Sequence, residues 1–284
     1  HMWTLESSGL GEYETDDPAI GGGNIKINTY AITEELFSGD SENYVIQPIG
    51  TLCHEFGHIL GLPDLYDRTG DDQEPDFRNS EGLGQWCLMG SGNYGADGGT
   101  PSRPVQMSAW CKIQMGWISP TVVSSNGQVS LAQVETNPTA LKIWEDSYHS
   151  FRYFLIENRQ AAGFDRDVPN PGMLIYHVDE SRTWDMDAYA GPGNDDYRMK
   201  LVDLEEADGV DDLDNGVNRS DGGDPFPGSS GARTFDDNST PNSRDGQGNS
   251  TGIAIREISD PGETMTAMVT LRSRDHKPRP LLIV

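Results

Sequence analysis

The sequence predicts an α+β protein in which a helical region is followed by an antiparallel β-rich module that resembles a sandwich. The stretch Thr51–Gly61 is apolar around two histidines at helical spacing, and Pro101–Trp117 has apolar residues on one helical face. From about Pro120 the apolar period shortens to that of strands, with turn signals such as Asn126-Gly127 between the segments. These three observations favour helices first and strands afterwards.

The elements can be justified in chain order. Trp3–Leu5 and Asn24–Tyr30 have the composition of strands, and Thr33–Phe37 is typical of a short helical turn. Pro48 suits the first turn of a helix, so the histidine helix begins there. The strands expected after Pro120 are Val129–Val134, Leu141–Trp144, Phe151–Glu157, Met173–Val178, Met199–Val202, Ile253–Ile258 and Met265–Leu271. We therefore expect a first region at 1–119, a β-rich module at 120–273 and a tail at 274–284.

Composition restricts the binding partners. The chain has 284 residues, a formal net charge of −26 and a pI near 4.3, which argues against nucleic acid and anionic membranes as partners. No apolar run is long enough to span a membrane, so we expect no membrane insertion. The three cysteines, Cys53, Cys87 and Cys111, match neither a disulfide framework nor a zinc ribbon, and we interpret them as small buried apolar residues.

The histidine helix has the spacing of a metal site. His54 and His58 are four residues apart, so both imidazoles project from one face, and Glu55 stands beside the first. This H-E-x-x-H arrangement suits zinc. Gly61 can end the helix and Pro63 cannot continue it, so the chain turns and can bring Asp64 back as a third ligand. The alternative third ligands are Asp67, Glu74 and Glu81.

Two acidic stretches suggest structural calcium, because carboxylate oxygens at high density are its preferred ligands. The alternative is a solvated acidic surface. The candidate calcium ligands are Asp67, Asp71 and Asp72 in one group and Asp208, Asp211, Asp212 and Asp214 in the other.

The residues resemble a known family. The segment His54–Asp67 is similar to the zinc motif of the immune inhibitor A family of secreted bacterial metallopeptidases, within the metzincins. Trp86–Gly92 resembles the methionine-turn of that family, and further similarity lies in Ser108–Trp117, Leu155–Gln160 and Gly223–Gly228. The resemblance implies a metzincin-like catalytic region with zinc at the floor of a cleft, structural calcium, protein or peptide substrates and an extracellular, bacterial location.

Carried onto this chain, the resemblance makes His54, His58 and Asp64 the zinc ligands, Glu55 the general base and Met89 the residue under the metal. Zinc would activate a water molecule for attack on a peptide bond, and Tyr94 or Tyr66 could donate to the oxyanion. Few residues precede His54, so we expect a catalytic region that is incomplete at its N-terminus and a missing pro-segment. The alternative function is an inactive binding or scaffold fragment whose β-rich module engages protein or glycan.

Overall fold

The fold mixes helices and strands and consists mostly of sheets. A computed structural model describes residues 3–6, 13–27, 29–32, 35–38, 44–68, 79–145, 151–182, 193–196 and 198–271. The helices are α1 (Ile49–Ile59) and α2 (Ala109–Gln114). The strands are β1 (Trp3–Glu6), β2 (Tyr13–Pro18), β3 (Asn24–Ile27), β4 (Thr29–Ile32), β5 (Leu36–Ser38), β6 (Tyr44–Ile46), β7 (Thr121–Val122), β8 (Gly127–Ala132), β9 (Leu141–Trp144), β10 (Arg152–Arg159), β11 (Gly172–Asp179), β12 (Val202–Leu204), β13 (Thr234–Phe235), β14 (Ala254–Arg256) and β15 (Thr264–Thr270). No helix among these residues is long and apolar enough to cross a membrane.

Two sheets dominate the second half of the chain. One has five strands in the order β12-β11-β10-β9-β7, and the other has four in the order β13-β14-β15-β8. Among the described strands, the ladders within these two sheets are antiparallel except that of β7 with β9, which is parallel and departs from the predicted antiparallel module. Ahead of helix α1 the strands form three two-stranded ladders, β1 with β4, β2 with β3 and β5 with β6.

The five-stranded sheet lies between two apolar clusters. Along β10, Tyr153 and Leu155 join the cluster that contains the segments around both helices, whereas Phe154 and Ile156 join the cluster shared with the four-stranded sheet. This alternation follows from the two-residue period of a strand that is buried on both faces. The sheet therefore supports the helical part of the molecule on one face and the second sheet on the other.

The structure corrects three predicted elements. The helix expected over Pro101–Trp117 is limited to α2, because Ser108 caps its N-terminus by accepting from the Cys111 N–H and Gly116, at a φ of 67°, follows its end. The strand expected over Met199–Val202 begins only at Val202. The helical turn expected over Thr33–Phe37 is wrong in its second half, where Leu36 and Phe37 belong to β5.

Candidate metal centre

Helix α1 is held at both ends by close backbone packing. At its start, a Cβ atom added to Gly50 would overlap the carbonyl oxygen of Asn93, so only glycine allows this approach. At its end, Gly61 has a φ of 97° and the Leu62 N–H donates to the Gly57 carbonyl at 3.0 Å. The chain then turns through Pro63 and places Asp64 against the histidine-bearing face.

The three residues expected from the motif meet at one point. His54 Nε2 lies 3.0 Å and His58 Nε2 3.3 Å from Asp64 Oδ1. The ligand-capable atoms of these residues all lie within 4.8 Å of one another, and they form the one such group among the residues that the structure describes. The three side chains are largely removed from solvent, with exposures of 7% for His54, 4% for His58 and 7% for Asp64.

The other ring nitrogens are oriented by the main chain. His54 Nδ1 donates to the Leu88 carbonyl oxygen and His58 Nδ1 to the Leu62 carbonyl oxygen, each at 2.8 Å. A carbonyl can only accept, so both Nδ1 atoms carry the proton, and the Nε2 atoms of the neutral rings present lone pairs. Two lone pairs and a carboxylate oxygen then face one another within a buried space. A divalent metal ion fits this donor set, because it would take the place of the proton that a protonated histidine Nε2 otherwise donates to Asp64.

The electrostatics agree with a site for a cation. Burial alone would raise the pKa of Asp64, but its hydrogen bonds with His54 and His58 hold that pKa well below its usual range. Burial would likewise lower the pKa of His54, yet the hydrogen bond and charge of Asp64 raise it above the ordinary value. Each partner therefore favours the charged form of the other, so a positive charge beside Asp64, whether a proton on His54 or a metal ion, is stabilised there.

Met89 packs against the middle of helix α1. Its side chain is fully buried, and a Cβ atom added to Gly57 would overlap Met89 Sδ and lie 3.1 Å from its Cε. The backbone of the same residue accepts from the Leu65 N–H at 2.8 Å, directly after Asp64. Met89 thus contacts both the helix and the turn that carry the three converging residues.

A cleft of about 510 Å³ opens beside Asp64. The ring of Tyr66 lines it and is stacked near His54, with 6.5 Å between ring centroids and an interplanar angle of 26°. Tyr94, the tyrosine preferred from the sequence, lies in a 3₁₀ turn and is 45% exposed. The turn packs on Gly50, one helical turn before His54. The remaining residues that line the cleft are Asp67, Arg68, Asn79, Ser80, Glu81 and Arg219.

The alternative third ligands take other positions. Asp67 is buried and lines the cleft, and Glu81 pairs with Arg219 at 3.2 Å. Glu74 lies outside the described residues. Of the three acidic candidates that the structure describes, Asp64 is the one that lies against the two histidines.

The calcium candidates do not converge in the same way. Asp214 pairs with Lys200, Asp212 accepts from the Asn218 amide at 3.1 Å, and Asp208 accepts from the Val210 N–H at 2.9 Å. In the described part of the chain, no three of Asp208, Asp211, Asp212 and Asp214 bring their ligand atoms within 4.8 Å of one another as His54, His58 and Asp64 do. Asp71 and Asp72 lie outside the described residues. Calcium therefore stays a prediction.

Sequence reasoning missed the backbone acceptors and the arginines of the cleft. The carbonyl of Leu88 lies 34 positions from His54 in the chain, so side-chain identity gives no signal for this contact. The carbonyl of Leu62 could have been expected, since it lies one helical turn beyond His58. Arg219 comes from the second half of the chain and reaches the cleft only through tertiary packing.

Comparison with known proteins shows that the part of the chain that carries this site is similar to a peptidase family. Residues 12–118 match the family model described as immune inhibitor A peptidase M6, catalytic domain. The matched part of the chain is immune inhibitor A-like, which confirms the resemblance seen in its motifs.

The pre-pro-metalloprotease PrtV of Vibrio cholerae serotype O1 is 33% identical over 121 residues, both in strain M66-2 and in strain ATCC 39315 / El Tor Inaba N16961. The match covers 38% of this chain and 11% of PrtV, so the chain corresponds to a small part of that relative.

Proposed function

We propose that this chain contains the catalytic region of a zinc-dependent endopeptidase that hydrolyses protein substrates. The observation that carries the proposal is the meeting of two imidazole nitrogens and one carboxylate oxygen beside an open cleft. Three protein ligands leave a coordination position for a water molecule, which is typical of catalytic rather than structural zinc. The match of residues 12–118 to a peptidase family supports the same reaction class.

Each residue of the candidate site would have a separate role in this reaction. His54, His58 and Asp64 would hold the zinc, whose bound state supplies a polarised water molecule and an electrophile for the scissile carbonyl. Glu55 follows His54 on helix α1 and would accept a proton from the attacking water, then pass it to the leaving amine. Leu88 and Leu62 fix the imidazole tautomers through their carbonyls, so no ring rotation is needed when the metal binds.

A tyrosine beside the metal would donate to the oxyanion of the reaction. Tyr66 has direct support from its stacked position near His54 and its place in the cleft lining. Tyr94 remains the candidate derived from the sequence, and its 45% exposure means that part of the residue is accessible to a substrate. Substitution of each tyrosine by phenylalanine separates the two, since only the catalytic donor should lower kcat while leaving zinc affinity unchanged.

The test of the proposed reaction is the Glu55→Gln variant, with Glu263→Gln as a matched control at an exposed position just before strand β15. We expect the wild-type chain and the control to cleave casein, a zinc chelator to abolish cleavage, and added zinc to restore it. Glu55→Gln should bind zinc normally and lose cleavage by at least about 100-fold, because the proton acceptor is gone. Zinc binding without any cleavage in the wild-type chain would favour the alternative of an inactive binding or scaffold fragment.

We extend the proposal to architecture and location. Residues 1–119 would form a metzincin-like region in which Trp86–Gly92 is the methionine-turn, and 120–273 would form a sandwich-like module, followed by the tail at 274–284. Met89 under Gly57 and the apolar cluster shared by the two sheets support these assignments. An extracellular location and calcium at the acidic loops belong to the same proposal. Detection of the native protein in culture medium, and melting that calcium raises after chelation, would test them separately.

A further inference from the structure

Two cysteines that the sequence separates lie side by side in the core. Cys87 and Cys111 are both fully buried, and their sulfur atoms are 3.8 Å apart across 24 positions of the chain. Cys53 belongs to helix α1 and is only partly buried. The three cysteines were expected to be small buried apolar residues, but the sulfur atoms of Cys87 and Cys111 are in contact.

The surroundings hold the two sulfur atoms toward each other. The N–H groups of Met89 and Ser108 donate to Cys87 Sγ at 3.4 and 3.3 Å, and the Ser108 hydroxyl donates to Cys111 Sγ at 3.4 Å. Burial alone would raise the pKa of Cys87, but the donors from Cys111, Ser108 and Met89 lower it below the ordinary value. Cys87 is thus the member of the pair that carries thiolate character, and Cys111 is the neighbour that can resolve a mixed disulfide.

We propose that Cys87 and Cys111 form an intramolecular disulfide when the chain folds in the presence of a low-molecular-weight disulfide. The Cys87 thiolate attacks one sulfur of that oxidant and displaces one thiolate, which leaves a mixed disulfide on Cys87. Cys111, deprotonated, then attacks the Cys87 sulfur and displaces the second thiolate. The two protein thiols lose two electrons in total, and the oxidant is reduced to two thiols.

Only a small movement separates the observed contact from the bond. A disulfide is about 2.05 Å long, so each sulfur must advance by about 0.9 Å from the 3.8 Å contact. The bond would join the start of helix α2 to the segment that supplies the Leu88 carbonyl and Met89. The bond would therefore link the segment that packs against helix α1 to helix α2. Its formation does not depend on whether the chain is a peptidase.

The experiment uses the full chain with Cys53→Ser, so that only the proposed pair remains. The protein is refolded with oxidised glutathione, denatured, and treated with iodoacetamide before and after reduction. We expect no label before reduction, two labels after it, and a proteolytic fragment in which Cys87 and Cys111 are linked. Reduction of the native protein should lower its Tm by about 5–10 °C, since the cross-link closes a loop of 24 positions.

The matched control is Cys53→Ser combined with Cys87→Ser, in which Cys111 has no partner. This protein should take one label before reduction or carry one glutathione, and reduction should leave its Tm unchanged. Two labels on the unreduced Cys53→Ser chain would overturn the proposal. Glutathione attached separately to Cys87 and Cys111 would overturn it as well, because that result shows that the sulfur atoms do not reach each other.

Discussion

Substitution of Gly57 by alanine tests whether the Met89 side chain packs tightly against helix α1. The added Cβ would overlap Met89 Sδ and lie 3.1 Å from Met89 Cε, whereas favourable carbon and sulfur contacts need about 3.5–4.0 Å. Met89 is fully buried and Met107 Cε stands 3.6 Å from the same position, so the side chain has little room to withdraw. Overpacking of this kind costs about 1–3 kcal/mol, and the gain in helix propensity returns about 1 kcal/mol. We expect a net loss of about 1 kcal/mol, measured as a lower urea midpoint at an unchanged m value.

A double-mutant cycle makes this prediction decisive. In a Met89→Ala background the overlap is gone, so Gly57→Ala should stabilise the protein by up to about 1 kcal/mol. Gly99→Ala is the control, because a Cβ there meets no atom within 4 Å and its effect should be the same in both backgrounds. If Gly57→Ala stabilises the protein equally in the wild-type and Met89→Ala backgrounds, the packing argument is refuted.

Three further predictions concern other parts of the structure. Asp64→Asn should weaken zinc binding at least tenfold in a competition titration, because the site loses its one anionic donor; an unchanged affinity would remove Asp64 from the ligand set. Arg159→Met should lower stability by about 3–5 kcal/mol, because it leaves the fully buried carboxylates of Glu157 and Asp165 without their cation. The exposed Arg166 should tolerate the same change to within about 0.5 kcal/mol in urea unfolding. In the presence of a chelator, the Tm should fall as the pH rises from about 5 to 9. Burial raises the pKa of Glu206 to about 9 and that of Asp224 to about 6. A carboxyl group whose pKa is higher in the folded than in the unfolded state stabilises the fold at low pH, and this stabilisation is lost as the pH rises through the folded-state pKa. A Tm that rises over this range would contradict that sign, and calcium that flattens the fall would support a cation at the acidic loop.

The local sequence pattern was sufficient to predict where helix α1 lies in the chain. Pro48 precedes the first helical residue, and the histidine spacing places both rings on the face that the structure shows. The turn to Asp64 followed from the two residues that end helices, Gly61 and Pro63, because their backbone limits act within a few positions. Strand β9 was predicted at its observed bounds for the same reason, since alternation is a local property.

Other features depend on contacts between distant parts of the chain, and no local pattern indicates them. The pairing of β7 with β9 in parallel is set by how the chain returns to the sheet and not by either segment alone. The proximity of Cys87 and Cys111 requires the short helix α2 to pack beside the segment before Met89. The length of α2 was overestimated because apolar periodicity continued through Met107, which is buried without being helical.

The dipeptide Leu88-Met89 has a structural role that its two apolar side chains do not reveal. The Leu88 carbonyl orients the His54 ring, the Met89 side chain packs under Gly57, and the Met89 carbonyl accepts from Leu65 just beyond Asp64. His58 is oriented instead by Leu62, within its own helix end. A displacement of the dipeptide would therefore alter the orientation of the His54 ring and the position of the turn that carries Asp64. The main chain of the segment before Gly90 therefore contacts both the His54 ring and the turn at Asp64, two of the three parts that form the candidate metal centre.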